Sequence, residues 1–264
     1  MRVTFLGSGT SHGVPVIGCD CAVCRSTDSH NQRLRPSVWI QTDQTSLLID
    51  ATPDFRQQAL RARISRLDAV LLTHTHADHF LGLDDLRVFT TKQAQKLPIY
   101  GSAEAIADVR RVFHYTLAEK PAYPTLPNFG LQEIAVGGEL QIGDVQLRTV
   151  ELPHGRGTVL GFIFGNAFAY LTDCNAVAPG IVKSIKGIRV LALDALRHRP
   201  HPTHLTLAQA REVAEQVGAR LTLFTHMNHE TEHAATEADL PANIRLAYDG
   251  MQLEIDETTV TKLA

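Results

Sequence analysis

The sequence predicts an α/β protein of two mixed β-sheets packed face to face, with helices on the outer faces. Three observations lead there. Twelve short apolar or alternating stretches punctuate the 264 residues, too many for one strongly twisted open sheet. The strands come in bursts separated by single helices, which favours mixed sheets over a repeating strand–helix–strand array. A chain this long removes roughly 70 to 75% of its potential surface on folding, so residues 1–264 are read as a single domain.

In chain order, strands are expected at 3–6, 37–41, 46–49, 69–72, 97–100, 145–152, 159–164 and 168–171, then at 189–193, 220–224, 245–247 and 253–255. Most are rich in Val, Ile, Leu and Phe, as strands buried on one or both faces are. Helices are expected at 55–62, 80–90, 103–111, 180–185, 207–217 and 230–238. The clearest is "LTLAQAREVAEQVG": Leu207, Ala210, Val213, Ala214 and Val217 form an apolar stripe, Thr206 caps its start and Gly218 ends it. Pro179 marks the start of the helix before it. The proline-rich stretch 120–130 reads as a surface loop bordering a site.

The formal net charge of -3 argues against a stable nucleic-acid complex. Arg56, Arg61, Arg63 and Arg66 interleave with acids and read as a solvated helix face. No apolar run approaches the eighteen or so residues that cross a bilayer. Residues 1–6 are too brief for a signal-peptide core, so a cytoplasmic location away from the membrane is expected.

Chemistry concentrates in "LTHTHADHF". His74 and His76 follow a strand two residues apart, so extended backbone would send both from one face, and Asp78 and His79 follow at the turn into a helix. Packing four such groups without a cation leaves lone pairs unmatched. Further downstream, His154, Asp173 and His226 each follow an apolar strand. Three of the four cysteines, Cys19, Cys21 and Cys24, lie within six residues in "GCDCAVC". That spacing suits zinc, which still needs a fourth ligand, and His229 is the candidate; buried thiols or a redox pair are the alternatives. Cys174 reads as a small buried residue.

The motif "THTHADH", with His154, Asp173 and His226, resembles the metallo-β-lactamase superfamily. The resemblance implies an αββα sandwich with a dinuclear site at one edge. It places His74, His76 and His154 on one metal, Asp78, His79 and His226 on the other, and Asp173 between them. Two such cations lower the pKa of a shared water and clamp a phosphoryl oxygen.

"LGSGTSHGVPVIGCDCAVC" and "THMNH" are similar to the PhnP-like branch, the phosphoribosyl 1,2-cyclic phosphate phosphodiesterases. That branch implies two catalytic divalent ions, manganese or zinc, and one structural zinc on Cys19, Cys21, Cys24 and His229 in the loop at 18–25. It also gives His204 of "HPTHLTL" a general-acid role, with Asp78 a catalytic as well as a metal-binding residue. Asp194 is a candidate to orient a histidine. The implied partner is a small phosphorylated sugar or nucleotide-like substrate, with a homodimer as the default assembly. Arg156 either reaches a substrate phosphate or faces water. A transfer-RNA 3' processing nuclease or thioester hydrolase of the same fold, and a metal or ligand sensor, are the competing readings.

Overall fold

The computed structural model describes residues 1–117 and 126–263. In chain order the strands are β1 (Arg2–Gly7), β2 (Ser37–Gln41), β3 (Ser46–Ile49), β4 (Ala69–Leu71), β5 (Leu97–Gly101), β6 (Phe129–Glu133), β7 (Glu139–Ile142) and β8 (Val145–His154). They continue as β9 (Gly157–Phe164), β10 (Phe168–Leu171), β11 (Val190–Asp194), β12 (Leu221–Thr225), β13 (Ile244–Leu246), β14 (Gln252–Ile255) and β15 (Val260–Lys262). One sheet runs β15-β14-β1-β2-β3-β4-β5-β6 and the other β13-β12-β11-β10-β9-β8-β7. Both are mixed: β3 to β6 are parallel in the first and β10 to β13 in the second.

The helices are α1 (Phe55–Ala62), α2 (Ala77–Phe80), α3 (Arg87–Gln93), α4 (Ala103–Val112), α5 (Pro179–Ser184), α6 (Leu207–Val217) and α7 (His233–Ala238). Alternation along the strands builds the layers. Leu47, Ile49, Phe168, Tyr170, Val190 and Ala192 point between the sheets. Their neighbours turn outward, Leu48 and Val70 against Phe55 and Phe89 of α1 and α3, and Ala169 and Leu191 against Ala210 and Ala214 of α6. The result is the helix–sheet–sheet–helix sandwich expected from the sequence. Strands covered on both sides carry no polar alternation, which is why they read as continuous apolar runs. Thr206 caps α6 with a capping box and Gly218, at φ 62, closes it.

Three strands escape the sequence reading: β6, β7 and β15, each the last strand of a sheet. Only one side of an edge strand is paired, and these bury little, so their residues show no period-two pattern. Phe129 and Gly130, expected in a loop, begin β6; residues 120–125 of the same stretch lie outside the described residues. The single helix expected at 80–90 is also corrected. It breaks into α2, a 3-10 segment Leu81–Leu86 and α3. Gly82 packs so tightly that a Cβ there would sit 1.8 Å from the Thr52 carbonyl oxygen, and its N–H donates to Ala51 O at 2.9 Å. That seam draws the chain out of α-helical register. The last helix starts at His233, later than expected.

The parallel strands deliver their carboxyl ends to one edge of the sandwich. Leu160 N of β9 donates to Thr73 O just beyond β4, at 2.9 Å, and ties the two sheets together there. No helix among the described residues is long and apolar enough to cross a membrane.

Candidate metal and catalytic site

Each strand end at that edge contributes a polar side chain. Asp50 follows β3, His74 and His76 follow β4, His154 ends β8, Asp173 follows β10, Asp194 ends β11 and His226 follows β12. Asp50, Asp173 and His226 all adopt left-handed φ, at 62, 54 and 62°. Such angles are unfavourable for side-chain-bearing residues and concentrate where function fixes the backbone. A two-residue turn, Gly155 and the exposed Arg156, reverses the chain after His154.

The structure brings the seven sequence candidates together. The donor atoms of His74, His76 and His154 lie within 4.8 Å of one another, as do those of Asp78, His79 and His226 and those of His74, His79 and Asp173. Asp173 spans the groups: one oxygen is 3.3 Å from His79 Nε2, the other 3.2 Å from His226 Nε2 and 4.0 Å from His74 Nε2. His76 is exposed; the other six are buried.

Hydrogen bonds set the tautomers. Thr73 Oγ1 donates its proton to Asp50 at 2.8 Å, so His74 Nδ1 donates to Thr73 Oγ1, at 3.0 Å. His79 Nδ1 donates to Asp50 at 2.7 Å, His154 Nδ1 to Thr203 O at 3.0 Å and His204 Nδ1 to Asp194 at 2.8 Å. In each ring this leaves Nε2 for the centre. Nε2 of His74 and His79, and both ring nitrogens of His226, are buried without a hydrogen-bond partner among the described residues. Bare imidazole nitrogens beside carboxylates are costly when uncompensated and form the donor set of a divalent cation. The donors therefore fit a metal.

The titration shifts tell the same story. Burial opposes charge on His226, but Asp173 and Asp78 outweigh it and raise its pKa to about 9. His79 is raised for the same reason against the same burial, by Asp173, Asp78 and Asp50. In His74, burial prevails and, aided by His79, pushes the pKa well down. Asp173 and Asp78 stay below the carboxylate range: burial works to raise them, and the histidines overcome it. Negative charge at the centre thus attracts cations of either kind, protons or metal.

The second cluster lies at the N-terminal loop. His229 Nδ1 is 3.3, 3.6 and 3.5 Å from the sulfurs of Cys19, Cys21 and Cys24. Ligand atoms on a tetrahedral zinc, at 2.3 Å for sulfur and 2.0 to 2.1 Å for nitrogen, stand roughly 3.5 Å apart. The Cys24 N–H draws the Cys21 thiol down to about 6, whereas burial lifts Cys24 to about 11. The fourth cysteine, Cys174, is buried elsewhere, with its thiol pushed up by burial.

His204 belongs to a group with His154 and Asp173, and its ring stacks on His226 at 4.7 Å. Asp194 accepts its Nδ1–H, as the sequence suggested, and also the Cys174 N–H at 2.9 Å. His201 lies 5.1 Å from His204, ring to ring, while His198 is exposed. Asp50 and Thr73 are absent from the sequence candidates. Asp50 carried the available signal, a polar residue directly after the apolar strand "SLLI", like Asp173 after "FAYLT".

Comparison with known proteins places this geometry. A family model described as "Beta-lactamase superfamily domain" matches residues 45–227. A crystal structure described as "a New Diphosphatase from the PhnP Family" superposes with a TM-score of 0.89 at 42% identity, over 97% of this chain and 98% of that one. An octanoyltransferase of Porphyromonas gingivalis is 41% identical over 260 residues, 97% of this chain but 52% of that protein. The chain thus spans about half the length of that relative, whose name describes a longer protein. Coenzyme PQQ synthesis protein B of Methylobacterium radiotolerans is 29% identical over 222 residues, 74% of this chain and 72% of that one. The chain belongs to the metallo-β-lactamase superfamily, in its PhnP family.

Proposed function

We propose that the protein hydrolyses a small cyclic phosphodiester, such as phosphoribosyl 1,2-cyclic phosphate, to a phosphomonoester. One observation carries the reading: two donor groups meet at Asp173, and the His204–Asp194 pair stands beside them. His74, His76 and His154 would hold one divalent ion, Asp78, His79 and His226 the other, with Asp173 shared and manganese or zinc as the metal. When bound, these ions lower the pKa of a water and neutralise the phosphoryl oxygens. Cys19, Cys21, Cys24 and His229 would hold a structural zinc.

The chain's own groups do the rest. Asp50, Thr73 and the Thr203 carbonyl hold three imidazoles with Nε2 turned inward. His204, with its Nδ1–H committed to Asp194, would act in its doubly protonated form, giving the Nε2 proton to a departing alkoxide and returning to the neutral ring, as a sugar leaving group requires. A second reading has a specific source: the 42% identical PhnP-family structure is described as a diphosphatase. A diphosphate ester presents a phosphoryl group and an oxygen leaving group to the same centre.

The test is to count metals per chain in protein purified without chelator. The same sample is then assayed on ribose 1,2-cyclic phosphate, a 2',3'-cyclic nucleotide, a diphosphate ester, precursor transfer RNA and a thioester. Fastest turnover of the cyclic ribose ester, with one tightly held zinc and two exchangeable ions, is the expected result. Preference for the diphosphate ester would move the function to the second reading. Metal-filled protein that cleaves only the RNA or the thioester would overturn both.

A further inference from the structure

The ligand histidines are not equally held. His74, His79 and His154 each commit Nδ1 to a neighbour, which leaves Nε2 for the centre. His76 is reversed: its Nδ1 lies 3.3 Å from His154 Nε2 and so faces the centre, on a residue that is exposed to solvent. Among the described residues His154 is the only hydrogen-bond partner of that ring. Both nitrogens converge where a cation would sit, so this contact holds neither ring once an ion is bound. His76 must therefore be positioned through its backbone.

Thr73 is fixed from both sides: its hydroxyl donates to Asp50 at 2.8 Å, and its carbonyl accepts from Leu160 N at 2.9 Å. Past it, among the described residues, Thr75 supplies the next tie to another element before the chain enters α2. Its hydroxyl meets Asp108 of α4, Oγ1 to Oδ2 2.6 Å. Alternation along extended backbone explains the direction, since a residue between two that face the centre must face away from it. Arg111 Nη2 donates to the other Asp108 oxygen at 2.8 Å, and the Thr75 and Arg111 contacts hold the carboxyl below its usual range. A carboxylate only accepts, so the Thr75 hydroxyl donates, and such charge-assisted bonds are among the strong ones. Asp108 is a firm post: Ser102 caps the start of α4 through Ala105 N, and Val109 lies in one apolar cluster with Leu72 and Ile99.

We propose that Thr75 and Asp108 are positioning residues for His76, and that their hydrogen bond sets the affinity of the ion shared by His74, His76 and His154. The other ion has its own supports. Asp50 accepts from His79 Nδ1 at 2.7 Å in a fully buried pair, and the His226 loop is joined to the N-terminal strand through Met227 N and Ser8 O at 3.0 Å. Neither support passes through α4. Cutting the Thr75 tie therefore loosens one ion selectively, because an exposed imidazole freed from its tether samples orientations that miss the metal. The proposal rests on the two-ion reading of the centre.

The test strips the exchangeable ions with a mild chelator and titrates manganese back, followed by electron paramagnetic resonance. An isolated ion gives a hyperfine-split spectrum and a close pair a coupled one. Thr75→Val, which keeps the shape and deletes the hydroxyl, and Asp108→Ala should each weaken one ion roughly 10- to 100-fold, so that the isolated-ion spectrum persists to higher manganese. The ion weakened should be the one that His76→Ala removes, and the other should keep its wild-type affinity. Thr75→Ser should restore the pair. The double variant should lose no more than either single one, because both cut the same bond; general damage to the fold produces neither pattern. Equal weakening of both ions, additive losses in the double variant, or wild-type affinities in Thr75→Val would overturn the assignment. If wild type never forms a coupled pair, the two-ion reading has failed, and the tether is judged on the single ion. Weaker binding in Thr75→Val, restored in Thr75→Ser, then supports it; equal binding in the three proteins overturns it.

Discussion

The hydrogen bond from His204 to Asp194 decides which nitrogen of that ring can act. If His204 is the acid, His204→Ala should lower kcat on a cyclic ribose ester by about 10²- to 10⁴-fold. An activated aryl phosphodiester, whose leaving group needs no proton, should lose far less; equal losses on both would assign His204 to binding. Asp50 makes a different prediction. It accepts from His79 Nδ1, Thr73 N and Thr73 Oγ1, and burial raises its pKa although His79 and Thr73 pull it down. Asp50→Asn keeps the shape and tolerates the left-handed backbone, but removes the carboxylate that orients His79. Affinity for the exchangeable metal should drop about 10- to 100-fold, read as metal retained against a weak chelator; full retention would make Asp50 a packing residue. At this scale the candidate ligands were legible because chemistry demands particular side chains at strand ends. The partners that set their tautomers were not. Thr203 acts through its carbonyl oxygen, which any residue carries, and Thr73 looks like any strand-end hydroxyl until Asp50 is seen to take its proton.

At the level of elements, one short loop serves two clusters. His226 and His229 are three residues apart, and the loop is stitched to the N-terminal strand: Met227 N donates to Ser8 O at 3.0 Å and Thr10 N to Met227 O at 3.1 Å. The fully buried Arg33 reinforces it, donating to the carbonyls of Asn228 and Thr231 at 3.0 and 2.8 Å. Whatever secures the cysteine loop therefore secures the histidine-bearing edge. Cys21→Ser should remove one metal per chain and lower Tm. It should also weaken the exchangeable ions, because His226 loses an anchor of its loop. Unchanged affinity at the exchangeable sites would show that the hydrogen bonds alone hold His226. Which elements the sequence disclosed follows from burial. Strands covered by two layers announce themselves through apolar runs, whereas β6, β7 and β15 sit at edges where nearly any residue is tolerated. The break after Phe80 was hidden because it arises from Gly82 meeting the distant Thr52 carbonyl, and no local propensity encodes that approach.

Across the whole molecule, acid stability should depend on a seam far from the catalytic edge. His233 of α7 packs against His30 at 4.6 Å and Tyr248 at 6.2 Å, ring to ring, joining the N-terminal segment to the C-terminal sheet edge. Burial, helped by His30 and Arg33 and opposed by Glu237 and Asp28, lowers the His233 pKa to about 4. An unfolded histidine titrates near 6.5. Between those values the unfolded chain binds a proton that the folded chain refuses, so stability rises with pH across the window and is lost as pH falls from 6.5 toward 4. His233→Phe keeps an aromatic ring in the seam and deletes the titration. Metal release in acid also destabilises the fold, since protons compete for the ligand histidines, but it acts alike in both proteins and cancels in their difference. With metals loaded, the variant's urea midpoint should drop less than wild type's between pH 7 and pH 5. Identical drops would mean that His233 takes up its proton as readily in the folded as in the unfolded chain and that groups elsewhere govern acid unfolding.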